Sequence, residues 1–165
     1  MLKLLINTLF LCLISSSAFA ITPTFTVVRE IHFGDVLTTP GSCRMSSSTG
    51  VIISYIGQYI CLLHDTAQNG RYTITANPNK TIRVKVLPNQ NTGDGVIFNP
   101  YIELISTGFT REVLYNNVGF KEINSGADGI VDLYLGGDLI TSTVYSYGQT
   151  INFNFADAIE WYEDP

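Results

Sequence analysis

Few residues in this chain have the types and spacing that chemistry requires. Three cysteines occur, Cys12, Cys43 and Cys61, and two histidines, His32 and His64. His64-Asp65 has the base-and-orienter pairing of a hydrolytic triad, with Ser46, Ser47 and Ser48 as possible nucleophiles. A triad needs fixed geometry, and a strand-end histidine followed by a turn aspartate explains the same residues. Glu160 and Glu163, with Asp157 and Asp164, are numerous enough for the paired carboxylates of glycoside hydrolysis, but a run of acids at a chain end reads first as a solvated tail. Asp128, Asp132 and Asp138 invite a calcium site, yet their spacing does not follow the EF-hand loop. Neither histidine stands at metal-ligand spacing to another ligand. No G-x-S-x-G, H-E-x-x-H, P-loop or G-x-G-x-x-G motif is present. The expectation is a protein that is not an enzyme and uses no cofactor or metal. Asn79-Lys80-Thr81 is formally a glycosylation sequon in a turn. Tyr145, Tyr147 and Trp161 could stack on sugar rings if exposed, or serve as core and edge aromatics.

The first twenty residues have another purpose. Lys3 precedes an apolar run from Leu4 to Ile14, and Ala18-Phe19-Ala20 closes the segment with small residues at the first and third positions. That is the layout of a secretory signal peptide cleaved after Ala20. The run is too short to span a bilayer, and Leu11 before Cys12 is too large for a lipoprotein signal. The expected products are a signal peptide at 1–20 and one mature domain at 21–165, exported through the Sec pathway to the periplasm and then the cell surface or medium. No transmembrane segment is expected in the mature chain. Loss of Lys3 takes the formal charge from −5 to −6. With no basic run, nucleic acid and anionic membrane are poor partners. An exported chain left with two cysteines is expected to join them, so Cys43 and Cys61 are read as a disulfide.

The elements that would position any site are strands. Val131, Leu133 and Leu135 alternate with Asp132 and Tyr134; after Gly136-Gly137 the alternation resumes, and Ile151, Phe153 and Phe155 alternate with Asn152 and Asn154. A period of two buries one face and wets the other. The stretch from Gly129 to Phe155 is therefore expected to form a terminal β hairpin around Tyr145 to Gly148. Ile21 to Phe33, Ser42 to Met45, Val51 to Tyr55, Gln58 to His64, Arg71 to Ala76 and Thr81 to Leu87 are further strand candidates. Pro88 to Gly95 and Lys121 to Gly129 read as loops, Pro100 as the end of a short run from Val96, and Gly108 to Phe120 as weakly patterned. The acidic tail with Trp161 either finishes the last strand or covers an open end. Short strands between Gly, Asn and Pro clusters, with charged residues at only 14% and aromatics at 12%, predict an all-β sandwich.

Several short motifs lie in a telling order: Ile31-His32-Phe33-Gly34, Gly41-Ser42, Tyr72-Thr73-Ile74-Thr75, Ala127-Asp128-Gly129, Leu133 to Leu139 around Gly136-Gly137, Tyr147-Gly148, and Ile151 to Phe155. In this order the chain resembles a family of secreted bacterial β proteins known only as a domain of unknown function, itself similar to chaperone–usher pilin subunits. The turn Tyr145-Ser146-Tyr147-Gly148-Gln149 departs from that family's Gly-x-Tyr-x-Gly, and the Trp161 tail runs past its usual end. The cysteine pair is not general in the family, although a disulfide near the domain start recurs in chaperone–usher pilins. The resemblance implies a single immunoglobulin-like, pilin-like sandwich that assembles by strand addition. Its implied partners are other pilin-like subunits and a periplasmic chaperone. Ile21 to Val27, a possible donor strand through Ile21, Phe25 and Val27 with Phe25 and Val27 as its knobs, has the alternation such a strand needs, but it reads first as the first strand of its own domain. A secreted carbohydrate-binding module or tip adhesin acting as a monomer on host or surface glycans is the alternative, and a small hydrolase a second one.

Overall fold

The computed structural model describes residues 21–54, 56–62, 66–91, 95–114, 119–144 and 155–165. They form an all-β sandwich. The strands are β1 (Thr24–Arg29), β2 (Gly41–Met45), β3 (Ile52–Ser54), β4 (Gly70–Thr75), β5 (Thr81–Val86), β6 (Asn89–Asn91), β7 (Val96–Ser106), β8 (Phe109–Leu114), β9 (Lys121–Asn124), β10 (Ile130–Thr141) and β11 (Ile159–Glu163). A short 3-10 turn at Ala156–Ala158 is the helical element among the described residues.

The large antiparallel sheet is built on β10. β7 runs along one edge of β10, from Asp132 opposite Ile105 to Thr141 opposite Val96. The other edge is shared end to end: β4 pairs with Ile130 to Leu135 and β2 with Gly137 to Thr141. β1 extends the sheet beyond β4 and β3 beyond β2, while β6 and β8 line the far edge of β7. The small sheet has the order β11-β5-β9.

The Gly136-Gly137 pair marks where β4 ends and β2 begins. A Cβ on Gly136 would run into the Met45 carbonyl oxygen and lie 2.5 Å from the Ser47 nitrogen. Only glycine lets the chain after β2 pass there. Alternation continues through the pair: Val131, Leu133, Leu135, Leu139 and Thr141 are all buried on the inner face. β10 is thus one twelve-residue strand rather than two runs.

Tyr72, Ile74 and Ala76 from the large sheet and Ile82, Val84 and Val86 from the small one are fully or almost fully buried in one hydrophobic cluster. Each such aliphatic side chain contributes about 1.5–3 kcal/mol. The β2 end of the large sheet is covered differently. Irregular chain around 31–41 and 56–62 lies over it, through the backbone bonds Leu37 N–H to Ile60 oxygen (2.7 Å) and Leu62 N–H to Asp35 oxygen (2.8 Å). Phe33 meets Phe98 edge to face, and Phe98 meets Phe155 likewise.

Several local expectations are revised. Gln58 to Cys61 makes only isolated bridges, Tyr59 to Ser42 and Cys61 to Val36, because it caps a sheet instead of joining one. β7 runs straight through Pro100, which falls between the last residue paired with β6, Phe98, and the first paired with β8, Tyr101. A residue with no N–H is accommodated where that edge has no partner. Asn89–Asn91 and Lys121–Asn124 are strands, not loop. β7 and β8 form a hairpin around Thr107-Gly108, with Gly108 at φ 84°. The turn at Asn77 to Lys80 carries the chain from one sheet to the other, since β4 and β5 do not pair. The tail is β11, paired with β5. The return arm of the expected terminal hairpin, 145–154, lies outside the described residues.

Candidate functional site

Two features of the large sheet stand apart from ordinary packing: its first strand and its outward face. β1 is an edge strand. Its register on β4 runs Thr24–Thr75, Phe25–Ile74, Thr26–Thr73 and Val27–Tyr72, then shifts by a bulge before Arg29–Arg71. No described strand pairs with its other edge. Of the three residues expected in a donor strand, Ile21 is 47% exposed, Val27 is 43% exposed, and only Phe25 is half-buried. Phe25 stacks on Tyr72 with ring centroids 5.5 Å apart and on Trp161 at 6.2 Å. At the bulge end Arg29 donates from Nε to the Asn69 carbonyl (2.9 Å) and from Nη2 to Asn69 Oδ1. The buried Asn69 amide in turn donates to the Ser47 carbonyl.

The outward face carries a polar knot. Asp138 on β10 is fully buried although its side chain points away from the core. Arg44, opposite it on β2, donates Nε to Oδ1 (2.5 Å) and Nη2 to Oδ2 (2.9 Å). Tyr101, opposite Gly136 on β7, donates its hydroxyl to Oδ2 at 2.7 Å. Arg44 also lies 4.9 Å from the Tyr101 ring centre. Further back along β10 on the same face, Asp132 accepts from Arg71 Nη2 (2.8 Å) and from the Thr73 hydroxyl (2.7 Å). The Asp132 hydrogen bond and charge hold the Arg71 guanidinium even more firmly protonated than usual. Arg71 lies 5.5 Å from the Tyr134 ring centre. Charge-assisted, partly bidentate bonds of this kind fix geometry as well as contributing energy. Asp138 accepts three such bonds with no exposure, and Asp132 accepts two while keeping 24% of its side chain exposed.

The remaining predicted residues are scattered. Cys43 and Cys61 are joined, with Cα atoms 6.0 Å apart, and this bond pins the 56–62 segment to β2. Asp128 sits in a turn, where the Thr107 hydroxyl and then the Ile130 N–H bond its carboxylate and hold it below the usual range. Asp128, Asp132 and Asp138 each have a separate partner, and no group of three metal-type ligands occurs among the described residues. The tail acids are engaged across strands: Glu160 with Lys85 at 3.4 Å and Asp164 with Arg83 at 3.0 Å. Asn79 is in the turn with φ 58°. His64, Asp65, Tyr145 and Tyr147, and the cleavage position after Ala20, lie outside the described residues. No helix among the described residues is long and apolar enough to cross a membrane.

The polar knot escaped sequence reasoning. Its available signal was two aspartates, residues disfavoured in strands, an even number of positions apart within one alternating run. Nothing in the spacing named Arg44 or Tyr101 as partners. No protein family, characterised protein or solved structure matches the chain.

Proposed function

We propose that the chain is an exported, non-enzymatic structural subunit of a bacterial surface structure, fimbrial in type, which assembles by strand addition with a periplasmic chaperone as its folding partner. The observation that carries this reading is the shallow seating of β1. A strand bonded along one edge, with one half-buried knob and apolar Val27 and Val28 exposed, occupies a position that a strand of the same alternation from another chain could take. The β4 edge it covers is flanked by fully buried Tyr72 and Ile74, which need a covering strand from some chain. The disulfide suits an oxidising compartment. In the test, the exported chain is compared with one lacking Ile21 to Val27 by native mass spectrometry and electron microscopy. Oligomers should disappear on deletion, and a synthetic Ile21–Arg29 peptide should occupy the vacated edge. Unchanged assembly would rule the reading out.

One observation favours a second reading, a glycan-binding module that acts as a monomer. Tyr134, Arg71 and Asp132 share the outward face, an aromatic ring beside hydrogen-bonding groups. Retention of a monomeric chain on immobilised glycans, lost in Tyr134→Ala, would support it over assembly. Trp161 is already stacked on Phe25 and is not a free platform.

A further inference from the structure

Ile21, the first residue after the expected cleavage point, is held by a built clamp. Its nitrogen donates to Asn77 Oδ1 at 2.7 Å, and Asn77 Nδ2 donates back to the Ile21 carbonyl at 3.1 Å. Asn77 is itself fixed from three sides. Its main-chain N–H and its Nδ2 donate to the two oxygens of Glu163 on β11, both at 2.8 Å. Its carbonyl accepts the Ser125 hydroxyl at 2.7 Å. The clamp therefore joins the segment before β1, the turn between β4 and β5, the turn before β10, and β11. A side-chain amide fixed this way presents an oxygen, backed by a carboxylate, to one particular nitrogen.

We infer that Asn77 and Glu163 form a receptor for the α-ammonium group of Ile21, so that cleavage after Ala20 latches β1 into its own sheet. This rests on the reading that a leader is removed at that bond. Before cleavage the Ile21 nitrogen is a peptide N–H with one hydrogen and no charge. Hydrolysis of the Ala20–Ile21 bond puts the Ala20 carboxylate on the leader and leaves an amine on Ile21. That amine, once protonated, has three N–H donors and a positive charge; Asn77 Oδ1 accepts one of the donors, and the Glu163 carboxylate stands behind the Asn77 amide, one hydrogen bond further out. A nearby opposite charge favours the charged form. The other charged groups on the packed elements fit this balance. Asp164 is taken by Arg83, Asp128 is bonded by Thr107 and Ile130, and Lys80 is the cation carried by the same turn. Chain termini captured by oriented polar groups are a known recognition mode. Here the captured terminus is the one that would otherwise be free to leave β4, so the latch sets how readily β1 is exchanged.

The sign of the pH dependence follows. An amine whose folded pKa is raised above the ordinary value of about 7.7–8.0 adds stability below that value and loses it as pH rises through the raised one. The experiment starts from full-length precursor expressed with its leader, and the exported chain is purified and its N-terminus read by mass. The α-amine pKa is then measured by competitive acylation in this chain and in Glu163→Gln. The expected result is a value raised by about 0.5 to 1 unit that falls back in the variant. N-terminal acetylation restores the single uncharged N–H of the uncleaved peptide, with an acetyl group in place of the Ala20 carbonyl, so it should lower the melting temperature at pH 7 and by much less once the free amine is neutral. This second measurement serves should Glu163→Gln fold poorly. A chain that begins at Ile21 with an unshifted amine, or that melts identically when acetylated, overturns the latch. An exported chain that begins elsewhere overturns the cleavage reading and the inference with it.

Discussion

Substituting Arg44 by Met should destabilise the sandwich far more than an ordinary surface change, although Arg44 lies on the outward face and its side chain is 32% exposed. Asp138 has no exposure at all and receives three charge-assisted bonds, two from Arg44 and one from Tyr101. Arg44→Met removes two of the three and leaves a buried carboxylate facing only a hydroxyl. Breaking a buried pair from one side costs about 3–5 kcal/mol. The partial exposure of Arg44 lets water reach the remaining charge, so the lower end, about 3 kcal/mol, is expected. For a domain of this size that is about 6–12 °C in melting temperature. Asp138→Asn preserves shape and lets Arg44 turn to solvent, with an expected loss of about 1.5 kcal/mol. In the double variant neither charge is stranded. The loss should then be about 2 kcal/mol smaller than the sum of the single losses. Urea unfolding with the disulfide intact measures all three. Because Asp138 is shielded, the coupling should persist at about 0.5 M salt, where exposed pairs are screened. Coupling below about 0.5 kcal/mol, the margin for independent sites, would refute the claim that the knot joins β2 and β10 energetically.

Three further outcomes follow from the geometry. Gly136→Ala should lose at least about 3 kcal/mol or fail to fold, because its Cβ meets backbone, whereas Gly108→Ala, in open space at φ 84°, should lose about 1–2 kcal/mol; equal urea midpoints would contradict the packing argument. Replacing Cys43 and Cys61 by Ala should remove about 3 kcal/mol for a loop with sequence separation 18, and hydrogen exchange should accelerate first at the Leu37 and Leu62 amides, with β10 unaffected; uniform acceleration would show that the bond does not act locally. Asp128 should titrate below an ordinary aspartate by NMR and move upward in Thr107→Val; its contribution is present above the ordinary carboxyl range and disappears as pH falls through the lowered value, and an unmoved titration in the variant would dismiss the Thr107 bond as its main cause.

Residue types and their order were enough to determine much of this molecule. Alternation marked β4 and β5 with their buried residues correctly, because facing side chains in a pleated strand leave a local, period-two record. The cysteine pairing followed from the two cysteines left once the first twenty residues are read as a leader. β1 as a first strand was legible, as was Gly136-Gly137 as a special point. What the glycines were for was not, since the obstacle is the chain after Met45, which arrives from some ninety positions away in the sequence.

Only tertiary structure decided how the strands are partitioned. The turn at Asn77 to Lys80 has the composition of a hairpin, yet it passes between sheets, and the inner faces of β4 and β5 meet in one hydrophobic cluster between the two layers. Pro100 looks like a terminator until its place in the gap between β6 and β8 is known. The polar partners are hidden for the same reason. Asp138 and Arg44 are 94 positions apart, and Glu163 and Asn77 are 86 apart. Local pattern specifies which face a residue is on; which distant residue meets it there depends on register and strand order, and those are set by the packing of the whole core.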